Sequence, residues 1–271
     1  MTEPLRGPDP NTGPPDPFVA GMPPVGWQYE ALPVLRALAA DEPSAQKLEV
    51  AGSARDERTL DVWSDLDVLV TATSDPQPIA DRLALAVTAE LGPLYASSRS
   101  VGDQEAGVRL VLADLRRIDL TVRATRATAN PPALPDTGGP LARIAAEYRF
   151  DAVLAAFKTA RQDLLIGAHL VLQLPRHLLV ATMILRDRET GTRHHRHGSP
   201  EWNTWLERLA AVAPPDSATT ITASIRHHTH VLQELLAVHA PELAADDEPL
   251  HRLLTAVDRN TRTHTAHRSD T

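Results

Sequence analysis

Ala51-Gly-Ser-Ala-Arg-Asp-Glu-Arg-Thr-Leu-Asp-Val-Trp-Ser-Asp-Leu-Asp-Val-Leu-Val70 contains a Gly-Ser turn, a polar loop, and two aspartates one residue apart at the head of an apolar run. As a β-strand, Asp65-Leu66-Asp67-Val68-Leu69-Val70 alternates faces, so Asp65 and Asp67 project from the same side. Like charges held that close repel unless a cation lies between them. Mg²⁺, a hard ion bound through one or two carboxylates together with substrate phosphates, is the usual solution. The stretch therefore predicts a place to hold a metal-bound triphosphate.

A later segment supplies a third carboxylate. In Arg116-Arg117-Ile118-Asp119-Leu120-Thr121-Val122, the residues Ile118, Leu120 and Val122 form one apolar face and leave Arg117, Asp119 and Thr121 on the other. If this strand lies beside the first, Asp119 joins Asp65 and Asp67 around a two-ion site. Two cations stabilise both the attacking and the leaving oxygen of an in-line displacement, which suits transfer of a phosphoryl or nucleotidyl group. Such chemistry asks the protein for positioning and positive charge.

Gly52-Ser53, then Asp65-x-Asp67 ahead of a hydrophobic strand, then Asp119 on a later strand, together resemble the pattern of the nucleotidyltransferase superfamily that includes the aminoglycoside adenylyltransferases. The Arg-Ile-Asp-Leu-Thr-Val stretch is similar to the segment in which streptomycin and spectinomycin adenylyltransferases place a carboxylate proposed as general base. Here the position is Asp119, where some relatives have glutamate, and it is open to roles as metal ligand, base or both. The likeness covers roughly residues 48 to 123 and extends more weakly into the helices beyond. It implies AMP transfer from ATP to a small-molecule hydroxyl with release of pyrophosphate. An aminoglycoside is the favoured acceptor, which would make the protein an antibiotic-resistance enzyme. Gly52 would let phosphates approach the backbone, the Ser53 hydroxyl would bond a phosphate oxygen, and Arg55 would neutralise triphosphate charge.

Composition narrows the classes. With 271 residues and 42% hydrophobic content, the chain can bury a sizeable core. It has no cysteine, so disulfides, thiolate zinc sites and cysteine nucleophiles are excluded, in keeping with a reducing compartment. The first residues carry neither a basic nor an apolar signal region, and no later stretch reads as a membrane span; a soluble cytoplasmic protein is expected. A net charge of -8 without a basic stripe argues against nucleic-acid binding and is compatible with a cationic small molecule. The oligomeric state is not specified.

Along the chain, residues 1–26 read as a Pro-rich disordered arm and 27–129 as an α/β catalytic domain with a mixed sheet. The expected order there is helix, strand, strand, helix, strand, strand. Residues 130–140, rich in proline and glycine, read as a linker; 141–259 read as a helical bundle and 260–271 as a flexible tail. Helical spacing predicts segments over 141–166, 176–186, 201–211, 218–239 and 249–257. The fold class expected is thus α/β followed by α, with the acceptor in the cleft between.

Lys158 stands out in the helical half, since Lys47 is the only other lysine. Leu154, Lys158, Arg161 and Leu165 share a helical face, and an ammonium there could meet a nucleotide phosphate. A phosphate-binding lysine at this point also resembles the adenylyltransferases. A polycationic acceptor would find counter-charges on Glu147, Asp151, Asp163 or Asp187. His194-His195-Arg196-His197 and His227-His228-x-His230 look like metal tracts, but the arginines beside the first would repel a cation. A role for that basic loop beside the nucleotide stays open. Two rival functions remain: a nucleotidyltransferase that modifies a protein partner in the manner of antitoxin-like enzymes, and a non-catalytic nucleotide-binding module.

Overall fold

The computed structural model describes residues 21–125, 138–191, 200–210 and 212–269. Most of the N-terminal arm, the greater part of the linker and the His194–His197 loop fall outside the described residues.

Among the described residues, seven α-helices and a five-stranded mixed sheet form an α/β half followed by a helical half. The first half contains α1 (Trp27–Asp41), β1 (Ala45–Val50), β2 (Leu66–Ala72), α2 (Pro76–Leu91), β3 (Leu94–Val101), β4 (Glu105–Leu112) and β5 (Arg117–Ala124). The second contains α3 (Gly139–Ala160), α4 (Leu164–Thr190), α5 (Pro200–Leu209), α6 (Ala218–His239) and α7 (Glu248–Ser269). Strand order is β1-β2-β5-β4-β3, with β2 and β5 parallel and every other neighbouring pair antiparallel.

The period-two pattern of β2 and β5 decides which face is buried. Leu66, Val68 and Val70 on β2, with Ile118, Leu120 and Val122 on β5, pack beneath α2 residues Ile79, Leu83 and Val87 and α1 residues Ala31 and Leu35. Asp67, Thr121 and the other odd-numbered residues are left on the opposite face, where the two strands present them side by side. At one end of that face, Ala96 of β3 and Val111 of β4 join the core of the helical half, centred on α3, so the site is built between sheet and bundle. Local signals mark the helix starts. Asp75 caps α2 ahead of Pro76, and Ser217 and Thr220 form a reciprocal capping box at α6.

Several elements differ from the sequence expectation. Strand β3 was not expected: Leu94-Tyr-Ala-Ser-Ser-Arg-Ser-Val101 lies on an edge, and its half-exposed, serine-rich surface lacks the alternation that betrays a strand. The helix expected over 141–166 ends at Ala160, because Gln162 adopts φ 62° and the Asp163 side chain accepts from the Ile166 amide to start α4. Helix α4 then runs through Pro175 to Thr190, far beyond the 176–186 expected. Helix α7 continues to Ser269, well past Val257.

Helix α4 also corrects the expectation that no stretch reaches membrane length. Its 27 residues, with mean hydropathy 1.5 over the best window, are long and apolar enough to cross a membrane by length and composition alone. In this fold one face, including Val171, Leu174, Leu178 and Leu185, packs into the helical core, while Leu165 and Leu172 are exposed.

Candidate active site

The antiparallel β1–β2 pair ends with Val50 opposite Val68, and the Ala51 amide donates to the Asp67 carbonyl at 2.8 Å. That contact sets the turn at Gly52 against the carboxylate-bearing end of β2. Gly52 has φ 58°, and a Cβ there would land on Asp67 Oδ2. Only glycine combines that backbone conformation with so close an approach. The chain then continues through a 3-10 turn, Gly52–Arg55.

Asp67 and Asp119 are register partners across the parallel β2–β5 pair, and Asp65 immediately precedes β2. Ligand atoms of the three carboxylates all lie within 4.8 Å of one another, and each side chain is half-buried. Among the described residues they are the one group of three or more acidic or histidine side chains so arranged. The tight spacing shows in their protonation. Burial, and then the charge of Asp65, raise the pKa of Asp67; the same causes push Asp119 up to about 6, against the pull of Arg109. Three oxygen donors this close together and open on one side could hold a divalent cation.

Two arginines face this cluster. Buried Arg117 donates from Nη2 to the Trp63 carbonyl at 2.7 Å, pairs with Asp65 at 3.3 Å and lies 3.9 Å from the centre of the Phe157 ring. Phe157 meets Trp63 edge-on, so one arginine ties α3 to the loop that positions Asp65. Burial lowers the Arg117 pKa, and the neighbouring Asp65 and Asp119 oppose that shift. Arg109, on β4 opposite Asp119, approaches it at 3.5 Å. Strand alternation already put Arg117 on the face of Asp119. Arg109 had no such signal, because its place depends on the β4–β5 register.

The site opens in two directions. Beneath α3, Phe150 and Leu154 cover a cavity of about 20 Å³ bordered by Asp65, Asp119, Arg109 and Arg117, enough for a single water. Away from α3, a groove of about 490 Å³ runs over the exposed sheet face, past Gly52, Asp67, Gly107 and Thr121.

The remaining expected residues divide. Gly52 lies at the carboxylates, with half-buried Ser53 next to it. Arg55 turns its Nε to the Val50 carbonyl at 2.8 Å and remains exposed. Lys158 is half-buried on α3, between Leu154 at the small cavity and Arg161, whose Nη2 bonds Asp61 at 2.7 Å and Ser64 Oγ at 3.0 Å. It makes no ion pair among the described residues. The four carboxylates considered for a cationic acceptor are engaged locally: Glu147 with Arg143, Asp151 with His177, Asp187 with Arg186, and Asp163 as the α4 cap. His228 is buried, and burial followed by His227 pushes its pKa down to about 4.

No family model and no curated protein sequence matches the chain. Among solved structures, an aminoglycoside 6-adenyltransferase from Bacillus subtilis aligns at 14% identity over 85% of this chain and 98% of its own, with a TM-score of 0.29. A STING-associated c-di-GMP synthase from Capnocytophaga granulosa aligns at 11% identity over 89% of this chain and 81% of its own, with a TM-score of 0.25.

Proposed function

We propose that this protein is a Mg²⁺-dependent nucleotidyltransferase that moves AMP from ATP to a hydroxyl of a small molecule. The observation that carries the proposal is the convergence of Asp65, Asp67 and Asp119 beside Gly52. All three would hold the metal, which when bound supplies positive charge to the phosphates and to the attacking oxygen. Gly52 and Ser53 would receive the triphosphate at the β1–β2 turn, with Arg55 and Lys158 adding positive charge. Asp119, beside the other two carboxylates, could also accept the proton of the acceptor hydroxyl. The acceptor oxygen then bonds to the α-phosphorus while the bond to the β-phosphate oxygen breaks, and pyrophosphate leaves with the electron pair.

The motif likeness favours an aminoglycoside as acceptor, and a cytoplasmic enzyme conferring antibiotic resistance is the corresponding role. The proposal includes a catalytic domain over 27–129 and a helical domain over 141–259, with the acceptor held between them.

Pyrophosphate release from ATP and Mg²⁺ that depends on added streptomycin, spectinomycin or kanamycin, with mass detection of an AMP adduct, is the expected result. Asp67→Asn should lower turnover at least about a hundredfold while its circular dichroism stays native. Near-normal activity in that variant would remove the metal proposal, and turnover only with a protein acceptor would replace the small molecule.

A further inference from the structure

The two guanidinium groups that face the aspartates are held in different ways. Arg117 is buried and keeps three partners at once, the Trp63 carbonyl, Asp65 and the Phe157 ring. Leaving that position would strand a buried charge, so Arg117 is a fixed cation. Arg109 has one charge contact, from Nε to Asp119 Oδ2 at 3.5 Å, and its side chain is 53% exposed. An ion pair that long and that wet contributes little and exchanges readily.

Position adds to this difference. Arg109 and Asp119 are the two residues that border both the small cavity beneath α3 and the groove beside Gly52. Whatever displaces the guanidinium from Asp119 leaves it facing a groove that already contains Gly52 and Asp67. Charge works in the same direction. Three carboxylates against two guanidiniums leave one negative charge over, whereas a single divalent ion turns the balance positive. The mobile share of that surplus belongs to Arg109, whose planar fork matches phosphate oxygens.

We propose that Arg109 is an exchangeable counter-ion. It neutralises Asp119 in the metal-free protein, yields that carboxylate to the incoming divalent ion, and then binds phosphate oxygens of the nucleotide lying in the groove. The inference rests on the nucleotidyltransferase reading and adds a phosphate-binding residue to it.

The test uses the full chain at mildly alkaline pH, with two probes: Mn²⁺ alone, followed by the paramagnetic resonance of the free ion, and inorganic pyrophosphate titrated calorimetrically in the presence of Mn²⁺. Arg109→Gln should bind Mn²⁺ about fivefold more tightly than the parent and pyrophosphate about tenfold more weakly. Arg109→Lys, which keeps the charge, should restore the parent's Mn²⁺ affinity and part of the pyrophosphate affinity. Unchanged or weaker Mn²⁺ binding by Arg109→Gln overturns the proposal and leaves the metal site standing, and so does an unchanged pyrophosphate affinity. If the parent and Asp67→Asn alike bind no Mn²⁺, the nucleotidyltransferase reading itself fails.

Discussion

Asp119 has a folded-state pKa of about 6, well above the ordinary aspartate value, because burial and the charge of Asp65 disfavour its ionised form. For a group raised in this way, the stability it contributes is fully present below the unfolded pKa and is lost as pH rises through the folded one. The metal-free protein should therefore lose stability between about pH 4 and pH 6 on account of Asp119. Asp119→Asn removes that cost. We expect it to be more stable than the parent in chelator at neutral pH, by about 1–2 kcal/mol, with the advantage gone below about pH 4. Urea unfolding at the two pH values checks this, and a destabilised variant at neutral pH would show that the crowding is harmless. Turnover should be lost in the same variant, a trade of activity for stability found where a site is held under repulsion. The three aspartates and Gly52 were legible in the sequence because alternation and a turn motif are local properties. Arg109 was not, since a partner across two strands is fixed by register and carries no mark of its own.

At the scale of elements, α3 does the most to shape the site. Phe150 and Leu154 cover the small cavity, Phe157 receives Arg117, and Arg161 reaches Asp61 and Ser64 in the loop leading to Asp65. Lys158 lies within this run and is half-buried. Lys158→Ala should raise the KM for ATP about tenfold with little change in melting temperature. An unchanged KM and rate would make it an ordinary surface lysine. The start of α3 and the two strands of the site followed from periodicity. Its end did not, because Gln162 breaks the helix by a backbone conformation that its side chain does not announce. Strand β3 stayed hidden for a related reason: an edge strand with one face toward water is specified by pairing with β4 more than by its own residues. Helix α4 is longer than its periodicity suggests, since a long helix packed along one face can absorb the hydrogen bond missing at Pro175.

Across the whole molecule, a buried carboxylate of the helical half reaches the outermost strand of the sheet. Asp247 has no exposed side-chain surface and accepts hydrogen bonds from the Tyr95 hydroxyl on β3 at 2.7 Å, Arg149 Nε on α3 at 2.9 Å and Gln233 Nε2 on α6 at 3.1 Å. Removing its charge leaves Arg149 buried without a counter-ion. Asp247→Asn should cost about 3 kcal/mol in urea unfolding, because Arg149 and Tyr95 lose a buried acceptor. An unshifted unfolding midpoint would show that Asp247 contributes nothing to stability. No local pattern in the sequence could reveal this junction, because its members lie 152 residues apart at the extremes. Through Tyr95 the outermost strand is fastened to the same anion that Arg149 and Gln233 hold within the helical half, so a swing of one half against the other would have to break the Tyr95 bond and uncover a buried carboxylate. With the halves held so, the groove present at rest is the approach to the aspartates, and ligands bulkier than its opening should be excluded.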